Sequence, residues 1–291
     1  MVGFSAEWLS LREAVDHAAR SVALTQAAFD ALPRDSPVRI LDLAAGTGSN
    51  YRYLTSVAAR PTLRRGSGST HGPAPTPVGA DQCVRPSWLL VDHDAELLAR
   101  VPASPDVETG CVDLAVLDDP AIFEGRSLVT ASALLDLVSE AWLDALADRC
   151  AAIGAAILFA LTYDGRIVCS PEDPDDASVV ALVNEHQRTD KGFGPALGPD
   201  ASTAAARGFE ARGYQVRRAR SDWVLTPEFR SLQDRLIEGW AQAATEMSPA
   251  RARAIDGWRD RRLAHVAAGW SEIIVGHEDI VGIVETEDLR I

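Results

Sequence analysis

The sequence predicts a doubly wound α/β domain: a mostly parallel sheet of seven strands with helices on both faces, an N-terminal helix, and a helical insertion before the last strand. Three observations carry that expectation. Short apolar runs alternate with stretches of helical periodicity, the pattern of β-α units around a sheet buried on both faces. The first run ends in a glycine turn, Gly46-Thr47-Gly48, that leads into a helix. With 291 residues, 47% of them hydrophobic, the chain has the material for one full-sized core.

The elements follow in order. Trp8, Leu11, Val15, Ala18, Val22 and Phe29 recur at helical spacing and predict one amphipathic helix starting at Ser5 and broken by Pro33 and Pro37. Residues 1–36 are read as a helical cap and 37–291 as the main domain. The first strand is expected at 38–43, with a helix through Tyr51, Tyr53, Leu54 and Val57. Between 60 and 86, Gly66, Gly68, Gly72, Pro73, Pro75, Pro77 and Gly79 crowd a stretch with few large apolar side chains, which predicts a flexible insertion. Strands two to five fall at 87–91, 107–112, 127–132 and 155–161, with a helix over 140–152. A helix over 177–188, a loop with Gly192, Gly194 and Gly198, a helix over 202–212 and a sixth strand over 214–225 come next. The stretch 226–270 reads as two helices broken near Ser248-Pro249, and Trp240, Trp258, Trp270, Phe229 and Leu236 make it a candidate lid over a small molecule. A last strand is expected over 280–284.

Charge and cysteine usage narrow the function classes. The 42 acidic against 28 basic side chains leave a formal charge of -14, so the averaged field repels polyanions, and neither nucleic acid nor membrane is expected as a partner. Cys83, Cys111, Cys150 and Cys169 lie far apart, without CxxC pairs or zinc-type spacing, and read as reduced thiols of a cytoplasmic protein with no metal site. Glu7, Arg12, Glu13 and Asp16 stand where a secretion signal needs an apolar run. The longest apolar stretch, near 151–161, is about half of the ~20 residues of a membrane span. No oligomeric state is implied.

The segment carrying the chemistry is Ile40-Leu41-Asp42-Leu43-Ala44-Ala45-Gly46-Thr47-Gly48-Ser49-Asn50. Between a strand and a helix, Gly46 and Gly48 let bare backbone turn where a side chain would collide with a ligand. A dinucleotide-binding turn wants a third glycine three residues after the second, and Tyr51 stands there, which counts against a nicotinamide-dependent oxidoreductase.

Here the chain resembles class I S-adenosylmethionine (SAM) dependent methyltransferases, whose pattern is D/E-x-G-x-G-x-G. Asp42, Ala44, Gly46 and Gly48 match it, Ala44 departing from the first glycine by one methyl group. The resemblance implies a Rossmann-like methyltransferase sheet, with SAM as cofactor and S-adenosylhomocysteine as product. Carried over residue by residue, it implies that Asp92, at the end of Trp88-Leu89-Leu90-Val91-Asp92, binds the ribose hydroxyls, with His93 flanking the adenosine. Asp113 and Leu114 fall where the family contacts adenine, and Ser132, with Asn50 of the first turn, completes the cofactor set. Thr130 to Asp136 corresponds to the end of strand four, where the family lines its transfer site. No Asn-Pro-Pro-Tyr segment follows that strand, which disfavours nucleobase amino groups as acceptors and leaves a small molecule with an O, N or S nucleophile.

Two residues are candidates for catalysis. Asp136 either caps the following helix or lines the acceptor pocket. Val179, Leu182, Val183 and His186 share one helical face, so His186 points inward, as a satisfied packing histidine or as a base beside Asn184, Gln187, Asp190 and Lys191. His17, His265 and His277 read as surface or packing residues, and His71 has no role. Arg12, Asp16 and Arg20 stand at four-residue spacing, as i,i+4 ion pairs on the N-terminal helix, where Trp8 and Arg12 are also candidates for a lid over the cofactor. The competing reading from another class is a SAM- or nucleoside-binding scaffold without turnover.

Overall fold

Along a strand, successive side chains go to opposite faces, and the central strands are apolar on both. The computed structural model describes residues 4–58, 86–117 and 119–284. The insertion expected over 60–86, with His71 and Cys83, lies outside the described residues apart from Pro86. Strands β1 (Arg39–Leu43), β2 (Ser87–Asp92), β3 (Val107–Cys111), β4 (Leu128–Ser132) and β5 (Ala156–Ser170) run parallel in the order β3-β2-β1-β4-β5. Beyond them, β6 (Tyr214–Arg220) and β7 (Trp223–Leu225) both pair antiparallel with β8 (Glu272–Val284), which runs antiparallel beside β5.

The sheet therefore has eight strands where seven were expected. The run 214–225 is two strands because the Asp222 carboxylate accepts from the His277 backbone amide at 3.2 Å, substituting a side chain for the ladder, while Arg166 Nη2 donates to the same oxygen at 2.6 Å. Strands β5 and β8 also extend well past the apolar windows that announced them, to 15 and 13 residues. Their outer halves carry Thr162, Asp164, Arg166, Glu278 and Asp279, which break the apolar pattern a sequence reading relies on.

Ile40, Leu90, Leu128 and Leu158 meet α2 (Val22–Asp30) and α3 (Ser49–Ala58) on one face. Leu41, Leu43, Val129 and Phe159 meet α5 (Glu140–Ile153) and α7 (Ala201–Glu210) on the other. Each such side chain contributes about 1.5–3 kcal/mol on burial, so the two layers dominate stability. The N-terminal region is two helices rather than one. Ser5 caps α1 (Ala6–Ala19) through the Trp8 amide, the chain turns extended at Arg20, and Ser21 caps α2 through the Leu24 amide. The apolar period runs on through this break, which hides it from a pattern reading.

The helices expected as a lid pack on the outer halves of β5 and β8. α8 (Arg230–Met247) and α9 (Ala252–Ala268) bury Ile237, Ile255, Trp258 and Val266 against α6 (Asp176–Gln187) and the outer halves of β5 and β8. Arg262, fully buried, bonds to Asp176 and to the Pro171 carbonyl, and Trp258 Nε1 donates to Asp176 Oδ1 at 2.8 Å. Leu236, Trp240 and Phe229 pack on the same layer, while Trp270 is exposed. These buried residues form a second core. Among the described residues no helix is long and apolar enough to cross a membrane.

Candidate active site

At the carboxyl ends of β1 and β4 the backbone turns through left-handed conformations at Ala44 (φ 52°) and Ala133 (φ 54°), and β5 bulges at Leu161 (φ 53°). Such conformations cost a residue with a side chain about 1–3 kcal/mol, so neighbours must hold them. Ala133 N donates to Ala160 O at 2.8 Å, and Leu161 N donates to Asp279 Oδ1 at 2.9 Å. The turns open a pocket with Ala44, Gly46, Asn50, Ser132 and Ala133 below and Leu9, Arg12 and Asp16 of α1 above. Gly46 has φ +52°, and a Cβ there would come within 3.0 Å of Leu9 Cδ1. The bare backbone at Gly46 thus admits the roof helix, where a collision with ligand was expected. Gly48 is not on the pocket wall, and its Cβ would meet Val101 at 3.3 Å.

Asp92 closes one end of the pocket. Its Oδ2 accepts from Gly46 N at 2.8 Å and its Oδ1 from Asp94 N at 3.0 Å, so the carboxylate holds the glycine turn while lining the cavity. His93 lines it too, with Nδ1 3.1 Å from Asp92 Oδ1. Leu114 is a buried apolar wall, fixed by its carbonyl accepting from Trp142 Nε1 at 2.6 Å. Asp113 departs from expectation. It is exposed and accepts from Ala115 N at 2.9 Å, an Asx turn in its own loop, and is not part of the wall.

Asp42 also sits behind the wall rather than on it. By strand alternation it faces the α2/α3 side, where it is fully buried and Oδ1 accepts from Asn50 Nδ2 at 2.7 Å. Asn50 donates as well to Thr130 Oγ1 at 3.1 Å and accepts from Arg20 Nη1 at 2.8 Å. Only Asn50 of this chain reaches the cavity. Burial pushes the Asp42 carboxyl up to about 7, against Asn50 and Arg20, which pull it down. The folded value lies above the unfolded one, so between about pH 4 and pH 7 the folded state holds the extra proton and this group's stabilisation is lost as pH rises. Asp42→Asn is expected to remove on the order of 4 kcal/mol of that pH-dependent fall. Urea titrations at pH 4, 5.5 and 7 read it, and an unchanged slope would mean Asp42 is charged throughout.

The two catalytic candidates are placed differently. Asp136 is buried, Oδ1 has no partner among the described residues, and burial lifts its carboxyl to about 6 against the Asp136 and Tyr163 backbone amides and the cations of Arg12 and Lys191. His186 does not point into the core or the pocket. Its half-buried ring sits at the α6 edge with Nε2 3.1 Å from Glu246 Oε2 and Nδ1 3.3 Å from Lys191 Nζ. Lys191 is the residue that lines the pocket, tied also to His186 O and Thr189 Oγ1, each at 2.9 Å. Burial holds its ammonium below the usual lysine range. Opposite, Arg12 gives Nε to Asp16 Oδ2 at 2.8 Å and lies over the Trp223 ring at 5.1 Å, while Asp16 Oδ1 is buried without a partner among the described residues.

Sequence reasoning missed Asp279. Fully buried, it accepts from Ser21 N at 2.8 Å and Leu161 N at 2.9 Å and pairs with Arg20 Nε at 3.4 Å, joining the N-terminal helices to the β5 bulge. An acid flanking the apolar run 280–284 was its one signal.

No family model matches this chain, and no curated protein matches it. Among solved structures it is similar to a cyclopropane-fatty-acyl-phospholipid synthase-like protein from Lactobacillus casei (12% identity, 97% of this chain and 95% of that one, TM-score 0.49). It is also similar to the cyclopropane synthase MmaA2 from Mycobacterium tuberculosis (10% identity, 96% and 94% covered, TM-score 0.47). A third is Haemonchus contortus phosphoethanolamine N-methyltransferase 2, solved with phosphomonomethylethanolamine and S-adenosylhomocysteine (13% identity, 90% of this chain and 52% of that one, TM-score 0.43). Likenesses of this size carry no conclusion about chemistry, which rests on the pocket.

Proposed function

We propose that the protein is a SAM-dependent methyltransferase that acts on a small molecule in the cytoplasm. The observation that carries this is the joint placement of Asp92, the Gly46 turn and the α1 roof around one pocket at the carboxyl edge of the sheet, the edge where ligands of open α/β sheets bind.

The donor set fits the cofactor. Asp92 Oδ2 keeps a lone pair for a ribose hydroxyl beyond its bond to Gly46, while Oδ1 already meets Asp94 N and His93 Nδ1, and Leu97 and Leu114 offer apolar flanks for a base. The unpartnered Asp16 Oδ1 suits the ammonium, and the Arg12 guanidinium the carboxylate, of an amino-acid end. When bound, the cofactor supplies an electrophilic methyl on a sulfonium. The chain's own part is positioning: α1 shields the cavity, Ser132 and Ala133 set its floor, and Asp136 lies behind that floor, off the pocket wall. His186 is a positioning residue here, acting through Lys191.

The formal charge of -14 supports a partner other than nucleic acid, and the concave pocket beneath α1 supports a small one. Cys111, Cys150 and Cys169 are free thiols, as a reducing compartment favours. Calorimetry with S-adenosylhomocysteine is expected to give one-to-one binding, and its absence at millimolar ligand would end this reading. His186→Ala is expected to leave that affinity within about twofold, or ~0.4 kcal/mol, while lowering kcat on the acceptor at least tenfold, about 1.4 kcal/mol. Equal losses in both would put His186 in the cofactor site.

A further inference from the structure

We propose that the acceptor carries an anionic group, a carboxylate or a phosphate, which docks on the Lys191 ammonium while the rest of the molecule lies against Phe193 and Leu137. This rests on the methyl-transfer reading above. Apart from His93, the ionisable side chains that line the pocket among the described residues are Arg12, Asp16, Asp92 and Lys191. Arg12 is paired with Asp16, and the two serve the amino-acid end of the cofactor as Asp92 serves its ribose. Lys191 is the charge left over. No further acid lines the pocket, and the wall that remains for an acceptor is apolar at Leu134, Leu137 and Phe193.

Lys191 is the only lysine in the chain, every other Lys/Arg position being arginine. Its Nζ donates to three neutral acceptors, His186 Nδ1 at 3.3 Å, His186 O at 2.9 Å and Thr189 Oγ1 at 2.9 Å, and it makes no ion pair among the described residues. Glu246 and Asp136 act on it through space only. A half-buried ammonium solvated by neutral groups alone is undercompensated, and an arriving anion supplies the missing partner. The Nδ1 contact is the longest of the three, so its N–H is the one most readily turned to a ligand oxygen. A compact ammonium on a jointed stem can make that turn, whereas a guanidinium needs a planar set of partners.

The loop holds this cation ready. Asp190 Oδ1 accepts from Gly192 N at 2.7 Å and Gly194 N at 3.0 Å, and Asp190 bridges antiparallel to Pro195. Lys191 and Phe193, two residues apart, thereby both reach the pocket wall, and the Phe193 ring is fixed edge-on against Trp142 at 5.5 Å between centroids. A cation and an aromatic wall presented together fit an anion attached to a flat apolar body. A cationic acceptor would bring like charge to Lys191, and a neutral one would leave it without a counter-ion.

Four naphthalene probes test this on the full chain saturated with S-adenosylhomocysteine: 2-naphthoate, 2-naphthyl phosphate, 2-naphthol and 2-naphthylmethylamine, titrated by fluorescence. One of the two anions is expected to bind at least tenfold more tightly than 2-naphthol or the amine, and which of them does so tells carboxylate from phosphate. Lys191→Met is expected to lose at least tenfold in that anion's affinity while holding 2-naphthol and S-adenosylhomocysteine within twofold. Because Lys191 is the only lysine, its acetylation by acetic anhydride can be followed by mass spectrometry against the N-terminal amine. Saturating anion is expected to slow it at least tenfold with the N-terminal rate unchanged, which decides the matter if the Lys191 variant does not fold. Anions that bind no more tightly than 2-naphthol, binding by neither anion below about 1 mM, full anion affinity in Lys191→Met, or unprotected acetylation overturns the proposal. Failure of S-adenosylhomocysteine to bind the wild type overturns the cofactor reading instead, and the comparison of wild type with Lys191→Met, run without it, still reads the anion site.

Discussion

Asp279→Ala is expected to lower the unfolding free energy by about 3–5 kcal/mol, the loss typical of removing one partner from a buried ion pair. Its carboxylate accepts from Ser21 N and Leu161 N and faces Arg20 Nε, and Asp279, Arg20 and Leu161 are all buried. The alanine variant leaves two amides without acceptors and Arg20 with only Asn50 and the Tyr53 ring, 4.5 Å from its guanidinium carbon, as company. Asp279→Asn keeps a carbonyl oxygen for one amide and should lose less. Urea unfolding followed by circular dichroism measures both. A loss below about 1 kcal/mol in the alanine variant would show that Arg20 and the bulge are held by other groups.

Asp92→Ala is expected to weaken binding of S-adenosylhomocysteine by about 1.5–3 kcal/mol, the range for hydrogen bonds to a charged group. The structure adds a second effect, because Asp92 Oδ2 also holds Gly46 N. Asp92→Asn separates the two. Its carbonyl oxygen still serves Gly46 although its NH2 faces the Asp94 amide, so melting temperature should fall less than in the alanine variant while affinity falls. Calorimetry on both variants, with melting curves as the control, reads the difference. An unchanged dissociation constant in a folded Asp92→Ala protein would remove this residue from the ligand site.

What was legible follows from how local each feature is. Ala44, Gly46, Asp92, His93, Leu114 and Ser132 come together because each stands at a strand end or in the turn after it, with Asn50 in the first turn of α3, and the parallel sheet brings those ends to one edge. Asp42 and Asp113 lie within the same motifs yet turn away, one by strand alternation and one by an Asx turn. The contributions of Arg12, Asp16 and Lys191 depend on how α1 and the loop after α6 dock on the sheet. No local pattern encodes that. The split of 214–225 into two strands likewise depends on Asp222 meeting His277 from a strand 55 residues away.

The tie made by Asp279 also sets an order of assembly. Its partner Ser21 lies 258 residues earlier and Leu161 lies 118 earlier, so both contacts wait for the late strand β8. Synthesis runs from the N-terminus at about 5–20 residues per second, and the five parallel strands are complete long before β8 exists. During that interval of some five to twenty seconds the roof of the pocket and the bulge beneath it have no common anchor. The parallel sheet's outer edge, β5, is also uncovered then, an open strand edge of the kind other chains can pair with. Protection of that edge therefore comes only once β8 has been made. A nascent chain stopped before β8 would expose β5.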